Sequence, residues 1–517
     1  MKRSIYLLLF ILQSCATAKL SRYHRDLPQI QKFHSNQTDK AYIQKSEYGI
    51  WELYAEGNPL ERGLHQGAIT DSIYRYQEEV FFQKVQELVP SKTRQWILRK
   101  FLSWYNRKLP KHIIDEYKEE IYGIAQYSSA EYNYIAPPFP RAMYLHAAHD
   151  IGHALQDLAL VGCTSFASRN EEGELLLGRN FDFYAGDEFA KNKILSFIKP
   201  EKGYAYASYA WPGMVGVVSG MNEEGLTITL NAGKSNIPLK AKTPVSLLAK
   251  EILQYASNHQ EALEIARKRK LFVSESLMIG SLKDNDVILL EISPKRMSIY
   301  RVEQSQTLLC TNHFQSKTFL KDRRNKRQIE ESHSLHRYER LQELITPSMT
   351  VEKAAHILRD RGDKLGNGND KAINHLLAHH AVIFEPGKKR IWVSTPPYNL
   401  GTFLAYDLEE VFSKKEVVVK TRISADPFLF SEAYAEYEEY RKTSKIIENA
   451  IRTSVLLEKT FFDAYIALNP ELWHVYYLVG QYYEARNDKV TARHYYTTAL
   501  EKELPSLKIE KEIKKRL

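Results

Sequence analysis

The chain has 517 residues, enough for about three domains at roughly 150 residues each. Hydrophobic residues make up 44% and charged residues 26%, which excludes disorder for the bulk of the chain. The three cysteines, Cys15, Cys163 and Cys310, exclude a disulfide-stapled scaffold, and a net charge of +9 spread over this length excludes a nucleic-acid footprint.

Met1-Lys2-Arg3 opens the chain, and a short apolar stretch runs from Ser4 to Leu12. A basic start, a short apolar core and a small residue before a cut describe an export signal, too short to span a bilayer. Leu12-Gln13-Ser14-Cys15 also resembles a bacterial lipobox, in which the Cys thiol is diacylated and becomes the mature N-terminus. Such acyl chains anchor firmly, since each buried CH₂ adds about 0.8 kcal/mol. The expectation is a lipoprotein of the bacterial cell envelope, tethered to the membrane through Cys15 and facing the periplasm or exterior. The plainer alternative is a secretory signal with an incidental Cys. In an oxidising compartment, Cys163 and Cys310 could also pair with each other.

Residues 16–47 are polar and lack a clear period, so they read as a tether. Tyr48–Tyr54 alternates like a strand, and Glu56-Gly57-Asn58-Pro59 is a turn. Amphipathic helix is predicted from Ala68 to about Leu102 with a break at Pro90-Ser91, then at Ile113–Gln126 and Arg141–Leu160. Residues 48–162 thus form a mostly helical segment. From Gly162 the pattern changes to short runs separated by Gly and Asn. Strands are predicted at Cys163–Ala167, Glu174–Phe183, Ile194–Ile198, Tyr204–Ala210, Val215–Ser219 and Leu226–Asn231. Helices follow at Val245–Ser257 and Gln260–Arg269. Strands return at Ser276–Ile279, Asp286–Ile292, Met297–Val302, Thr307–Cys310, Ala381–Glu385 and Arg390–Ser394. Two stacked antiparallel sheets with helices on their outer faces suit this order: an α+β fold, a four-layer αββα sandwich over residues 163–412. Lys321–Arg327 reads as a solvated basic loop. Residues 413–517 read as all-helical, and Tyr476, Gly480, Tyr483, Ala492, Tyr496 and Ala499 fall where one tetratricopeptide repeat places its characteristic residues. One repeat cannot bury its own faces, so it must dock on neighbouring helices or on the core. A generic helical hairpin is the alternative.

The chemistry concentrates around Gly162-Cys163-Thr164-Ser165-Phe166-Ala167 and Gly178-Arg179-Asn180-Phe181-Asp182. A Cys heading a strand, with Arg 16 and Asp 19 residues downstream, is a specific pattern. Asn222-Glu223-Glu224-Gly225-Leu226 leading to Asn231, Thr311-Asn312-His313-Phe314 and Ser334-Leu335-His336-Arg337-Tyr338 extend it, and Glu56–Gly67 resembles a pro-segment start. Over roughly residues 48–412 the chain resembles the N-terminal-nucleophile cysteine hydrolases: choloylglycine hydrolases, penicillin V acylases and, most closely, the penicillin acyltransferase group.

The resemblance implies an inactive precursor that cuts itself. The Cys163 thiol attacks the carbonyl of Gly162, which has no side chain to crowd the tetrahedral centre. Cleavage frees the α-amino group of Cys163 as base for its own thiol. Arg179 would favour the thiolate, Asp182 would hold the α-amino group, and Asn231 and Asn312 would donate to the oxyanion. Arg337 matches the last family arginine, which orders the site from a facing helix. The reaction implied is cleavage of a non-peptide C–N amide bond of an N-acylated small molecule, or transfer of the acyl group to another amine, without a cofactor. Asn222 to Asn231 is one residue shorter than the matching stretch of choloylglycine hydrolases, and no bile-salt specificity carries over.

Taken singly, the same residues have blander readings. Arg179 and Asp182 could be an ion pair on a hairpin, and Asn231 and Asn312 turn residues. His146, His149 and His153, with Asp150 between them, share a helical face and could hold zinc, but no HExxH is present and no metal is expected. His379-His380 reads as packing. A further alternative is a catalytically idle lipoprotein scaffold that binds a protein partner through its helical tail.

Overall fold

The computed structural model describes residues 36–155, 162–183, 186–235, 241–303, 307–362 and 364–517. Cys15 and the tether up to residue 35 lie outside the described residues. Two sheets form the centre. The first runs β1 (Ala41–Lys45), β2 (Trp51–Gly57), β5 (Ile194–Pro200), β6 (Tyr206–Ala210), β7 (Ser219–Asn222), β8 (Leu226–Ala232), β9 (Glu275–Ser281), β10 (Asp286–Ile292) and β11 (Met297–Tyr300). The second runs β12 (Leu308–Cys310), β3 (Thr164–Arg169), β4 (Leu175–Phe181), β13 (His380–Glu385), β14 (Arg390–Ser394), β15 (Phe403–Asp407) and β16 (Thr421–Ile423).

Alternation along these strands makes the layers. On β3 and β4, Ala167, Leu175 and Leu177 face the other sheet, where they meet Leu195, Phe197, Tyr209 and Met278. Phe166 and Leu176 face outward against Leu341, Ala355 and Leu358. These last come from two helices on the outer face, Ser334–Leu344 and Val351–Leu358. The first sheet turns Leu53, Ile198, Ile228 and Leu277 outward against Leu248, Ile252 and Ala262. That outer layer is built by the helices Val245–Tyr255 and His259–Lys268.

Residues 36–155 are not a separable arm. β1 and β2 are strands of the central sheet, and β2 lies parallel to β5 in register Trp51↔Ile194 through Gly57↔Pro200. The expected tether therefore ends earlier than residue 47, because Ala41 and Ile43 alternate inward with Leu53 and Ala55 in the core. α1 (Pro59–Leu88) starts nine residues before the predicted Ala68. Asn58 caps it, accepting from the Glu61 amide while the Glu61 carboxylate accepts from the Asn58 amide, a reciprocal capping box. α2 (Lys92–Asn106), α3 (Asp115–Ala125) and α4 (Pro138–Leu155) follow. α1 and α3 pack backbone to backbone: a Cβ on Gly63 would collide with the Glu120 carbonyl, and one on Gly123 would stand 2.6 Å from Leu64 N.

Three further expectations change. Val215–Val218 is not strand: Val217 donates to Ser246 O at the start of the Val245–Tyr255 helix, and the strand begins at Ser219. The basic run is helical from Arg323 to Glu331, because the Asp322 carboxylate caps the Arg324 and Asn325 amides. The segment after Phe412 is not all helix, since Thr421–Ile423 adds to the sheet edge against β15.

The C-terminal region contains the helices Glu432–Thr453, Lys459–Ala467, Trp473–Glu484, Lys489–Leu500 and Leu507–Lys514. Its apolar core includes Leu376 and Leu400 of the sandwich beside Tyr437, Tyr465 and Trp473. The loop before β13 is the dock. Asn469 donates to Asn367 O at 2.8 Å and accepts from Asn367 N at 3.2 Å, and Lys371 pairs with Glu503 at 2.6 Å.

One buried ion cluster ties residues 36–155 to the rest. The Glu120 carboxylate takes Arg62 at 2.8 Å and Lys250 at 2.5 Å, all three nearly solvent-free. Despite burial, the two cations hold Glu120 down at about 2. A depressed carboxyl stabilises the fold above its ordinary value near 4.5 and loses that contribution as pH falls toward 2. The shift corresponds to about 3 kcal/mol. Glu120→Gln is expected to cost about 3–5 kcal/mol at neutral pH, because two buried cations lose their partner. Denaturant unfolding of wild type and variant should show that gap closing between about pH 5 and pH 2.

Candidate active site at the Gly162–Cys163 bond

Cys163 sits immediately before β3 and is 1% exposed. Strand alternation sends its neighbours to opposite sides. Ser165 faces the other sheet, where its hydroxyl donates to Asn231 Oδ1 at 2.7 Å. Thr164 faces the outer helices, where its Oγ1 accepts from Arg337 at 2.7 Å.

Arg179 pairs with Ser165 in the β3–β4 register. It follows the inward positions Leu175 and Leu177, so its guanidinium enters the space between the sheets. There Nη1 donates to Val218 O at 2.8 Å and to the Ser219 hydroxyl. Nη2 donates to Leu230 O and reaches Cys163 Sγ at 3.8 Å. The thiol also accepts from the Asp182 backbone amide. Burial still pushes the thiol above its ordinary value against the pull of Arg179, so it rests protonated.

Arg337 approaches from the opposite side, on the Ser334–Leu344 helix. Its Nη1 donates to Gly162 O at 2.6 Å, Cys163 O at 2.8 Å and Thr164 Oγ1. Its Nη2 donates to Asn312 Oδ1 at 2.6 Å. The Gly162–Cys163 peptide thus lies between two fully buried guanidiniums, one near the thiol and one on the carbonyl.

Asn312 Nδ2 donates to Ala232 O at 2.9 Å, and its backbone amide donates to Ser334 Oγ at 2.8 Å. Asn231 Nδ2 donates to Cys310 O at 3.3 Å. Each amide nitrogen has a second hydrogen that these bonds do not use. Cys310 is buried on β12 and, like Cys163, is a free thiol, so the two are not paired.

Asp182 follows β4. Both carboxylate oxygens are buried with no hydrogen-bond partner among the described residues. Burial raises the carboxyl to about 7, although Arg337 and Arg179 pull it down. The nearest basic side chain is His375, with Nε2 at 3.6 Å from Asp182 Oδ2.

His375 and Ser219 escaped the sequence reading, and His380 reads there only as packing. His380 Nε2 lies 2.9 Å from the Ser219 hydroxyl that also receives Arg179, which extends the network outward from the thiol. No local motif marks these residues; the packing of the two sheets and of the loop before β13 brings them in. His146, by contrast, bonds Ala142 O through Nδ1 at 2.8 Å and accepts from Val215 N at Nε2 at 2.9 Å. Both nitrogens serve packing. The side chains of His149 and His153 lie outside those described, and no metal-holding cluster occurs among the described residues.

Residues 168–397 match the family model of acyl-coenzyme A:6-aminopenicillanic acid acyl-transferase. The chain is a relative of that acyltransferase family. The match contains Arg179, Asp182, Asn231, Asn312 and Arg337 and begins five residues after Cys163. Over 244 residues the chain is 27% identical to an N-acylethanolamine-hydrolyzing acid amidase of Caenorhabditis elegans, covering 44% of this chain and 66% of that protein. Over 285 residues it is 24% identical to an uncharacterized protein of Archaeoglobus fulgidus, covering 50% and 46%. The chain thus spans less than two thirds of either relative. Among solved structures, the Caenorhabditis elegans amidase ortholog aligns with a TM-score of 0.34 at 18% identity, covering 44% of this chain and 93% of that one. A conjugated bile acid hydrolase of Clostridium perfringens aligns with a TM-score of 0.35 at 14% identity, covering 50% and 96%.

The raised Asp182 carboxyl makes the intact site acid-favoured. Its contribution is fully present below its ordinary value near 3.8 and is lost as pH rises through about 7. In a Cys163→Ala chain, Asp182→Asn should therefore raise stability by up to about 4 kcal/mol near pH 8. The gain should vanish below about pH 4, as thermal unfolding across that range would show.

Proposed function

We propose that the chain is a self-processing cysteine amidohydrolase that cuts its own Gly162–Cys163 bond. It would then cleave non-peptide C–N amide bonds of N-acylated small molecules through a Cys163 thioester. The observation that carries this reading is the set of contacts at one peptide bond, with Arg337 on the Gly162 oxygen and Arg179 beside the thiol.

The chemistry follows from those contacts. Sγ adds to the Gly162 carbonyl carbon while Arg337 steadies the charge growing on its oxygen. The C–N bond breaks, the thiol proton ends on the Cys163 nitrogen, and water hydrolyses the thioester to a Gly162 carboxylate. Asp182 then gains an ammonium partner for its carboxylate. In the mature site the α-amino group takes the Cys163 thiol proton, the thiolate attacks the substrate carbonyl, and the amine leaves. Asn312 and Asn231 would offer their unused amide hydrogens to the oxyanion.

The lining of the neighbouring cleft, with Tyr74, Phe81, Leu145, Phe183, Phe189 and Trp211, is apolar and suits an acyl group. Phe181 links it to the site, with its ring 4.3 Å from the Arg179 guanidinium and 6.2 Å from Trp211. The names of the matching family and of the nematode relative, an acyltransferase and an N-acylethanolamine amidase, support the two outcomes of one acyl-enzyme: water or an amine as acceptor. Hydrolysis is the reading adopted, and transfer is its runner-up.

The division proposed is a lipoprotein signal at 1–15, a tether that ends before β1, a pro-segment to Gly162, a hydrolase core from Cys163 through β16 and a helical tail from Glu432. In the tail, Gly480 lies against the Tyr496 ring, and a Cβ there would stand 2.6 Å from it. That close crossing supports one tetratricopeptide-like hairpin. A lipid anchor at Cys15 would place the enzyme at the bacterial cell envelope; no helix among the described residues is long and apolar enough to cross a membrane.

Three experiments decide these points. On denaturing gels, wild type should give two chains that meet at Gly162–Cys163, and Cys163→Ala a single band. Wild type should release amine from at least one of a panel of acyl-homoserine lactones, penicillins, conjugated bile salts and fatty amides, with Cys163→Ala inactive. A single wild-type band identical to Cys163→Ala would refute self-processing. Separately, Cys15→Ser should move the protein to the soluble fraction after detergent-free washing; retention on membranes would refute the anchor.

A further inference from the structure

The self-cutting reaction faces a difficulty that the mature enzyme does not. Once Cys163 has a free α-amino group, that group can take the thiol proton. In the uncut chain the same nitrogen is an amide and has no basicity to offer. The thiol is also protonated, raised by burial. Another group must carry its proton from sulfur to nitrogen during the first step.

Two side chains stand at the bond with that capacity. The His375 imidazole fills the space where a side chain at position 162 would lie: a Cβ on Gly162 would meet Cε1 at 2.7 Å and Nε2 at 3.1 Å. His375 Nδ1 lies 3.4 Å from Ala372 O, to which its hydrogen is donated. That leaves the Nε2 lone pair facing Asp182 Oδ2 at 3.6 Å. Asp182 is the carboxyl with no hydrogen bond to either oxygen, and its own backbone touches both reacting residues: its carbonyl accepts from Gly162 N at 3.4 Å, and its amide donates to the Cys163 thiol. His333, the other imidazole near Gly162, accepts from Arg337 Nε at 3.1 Å through Nδ1.

We propose that His375, beside Asp182, is the proton carrier of self-cleavage and acts only in the uncut chain. This rests on the self-processing reading above. Nε2 accepts the thiol proton as Sγ bonds to the Gly162 carbon, and the Asp182 carboxylate balances the imidazolium. As the C–N bond breaks, the same proton passes to the Cys163 nitrogen. No net proton is gained or lost by His375. Burial and Arg337 hold the resting imidazole neutral, its ring lowered to about 3, which keeps the lone pair open and makes the charged form short-lived.

The helical tail fixes this carrier in place. His375 lies in the loop that Asn469 and Glu503 hold at Asn367 and Lys371, and the next residue, Leu376, is buried in the tail's core. A tail far from the nucleophile in sequence thereby sets the position of a side chain at the scissile bond.

The test is chemical rescue in the full chain. His375→Ala should leave an imidazole-sized hole and slow appearance of the two chains by about 10²-fold, the scale of general acid–base catalysis. Added imidazole should restore the rate in His375→Ala but not in Cys163→Ala. His375→Gln, which nearly fills the same volume, guards against a folding defect and should be slowed as much. Cleavage of either His375 variant at the wild-type rate would overturn the proposal, as would a folded His375→Ala chain that imidazole leaves uncut. If wild type itself stays whole, self-processing fails, which is a different result.

Discussion

The guanidinium of Arg337 is the contact on which the site depends. It is fully buried, and its nitrogens reach Gly162 O, Cys163 O, Thr164 Oγ1, Asn312 Oδ1 and His333 Nδ1. A buried charge with so many partners fixes geometry more than it adds stability, since desolvation offsets much of the attraction. It can reach the Gly162–Cys163 peptide only because β3 turns Thr164 outward. The same pleat turns Ser165 inward, beside Arg179. Two cations meet one peptide from opposite sides because adjacent strand residues point to opposite faces.

Such a site needs a frame that does not yield, and the segment before Cys163 supplies part of it. β2 lies inside the nine-stranded sheet, and the Arg62–Glu120–Lys250 cluster joins α1 and α3 to the helix Val245–Tyr255. A cut at Gly162 would sever the backbone but not these contacts. Removing β1 and β2 would open the edge of β5 and expose unpaired amides and carbonyls. The N-terminal portion therefore belongs to the same folded body, cut or uncut, and it contributes one wall of the aromatic cleft through Tyr74, Phe81 and Leu145.

The sandwich was legible where period-2 alternation was strong, as in Leu175–Phe181 and Asp286–Ile292. Legibility failed where a capping contact or a distant partner decided the outcome. Asn58 and Asp322 start helices that composition had assigned to a turn and a basic loop. Thr421–Ile423 is a strand only because β15 presents an open edge. In the site, Cys163, Arg179, Asp182, Asn312 and Arg337 could be picked out because residue type and spacing matched a known pattern. His375 had no such mark. It stands 193 residues from Asp182 in sequence, and its importance comes from a glycine whose missing side chain leaves it room.

That glycine and Asp182, which lacks a hydrogen bond among the described residues, would make the uncut and the proposed cut states unequal. In the intact chain the Asp182 carboxyl is buried with no hydrogen bond among the described residues and is raised to about 7, a cost built into the fold. Cleavage would place an ammonium one peptide away from the Gly162 nitrogen that already bonds Asp182 O. A buried carboxylate beside an ammonium is stabilised where a lone carboxylate is not. The cut would relieve the strain of the uncut site, and the new pair would oppose rejoining. The charge that destabilises the precursor and the charge that positions the mature base would be the same group, so neither state can be improved at Asp182 without harm to the other.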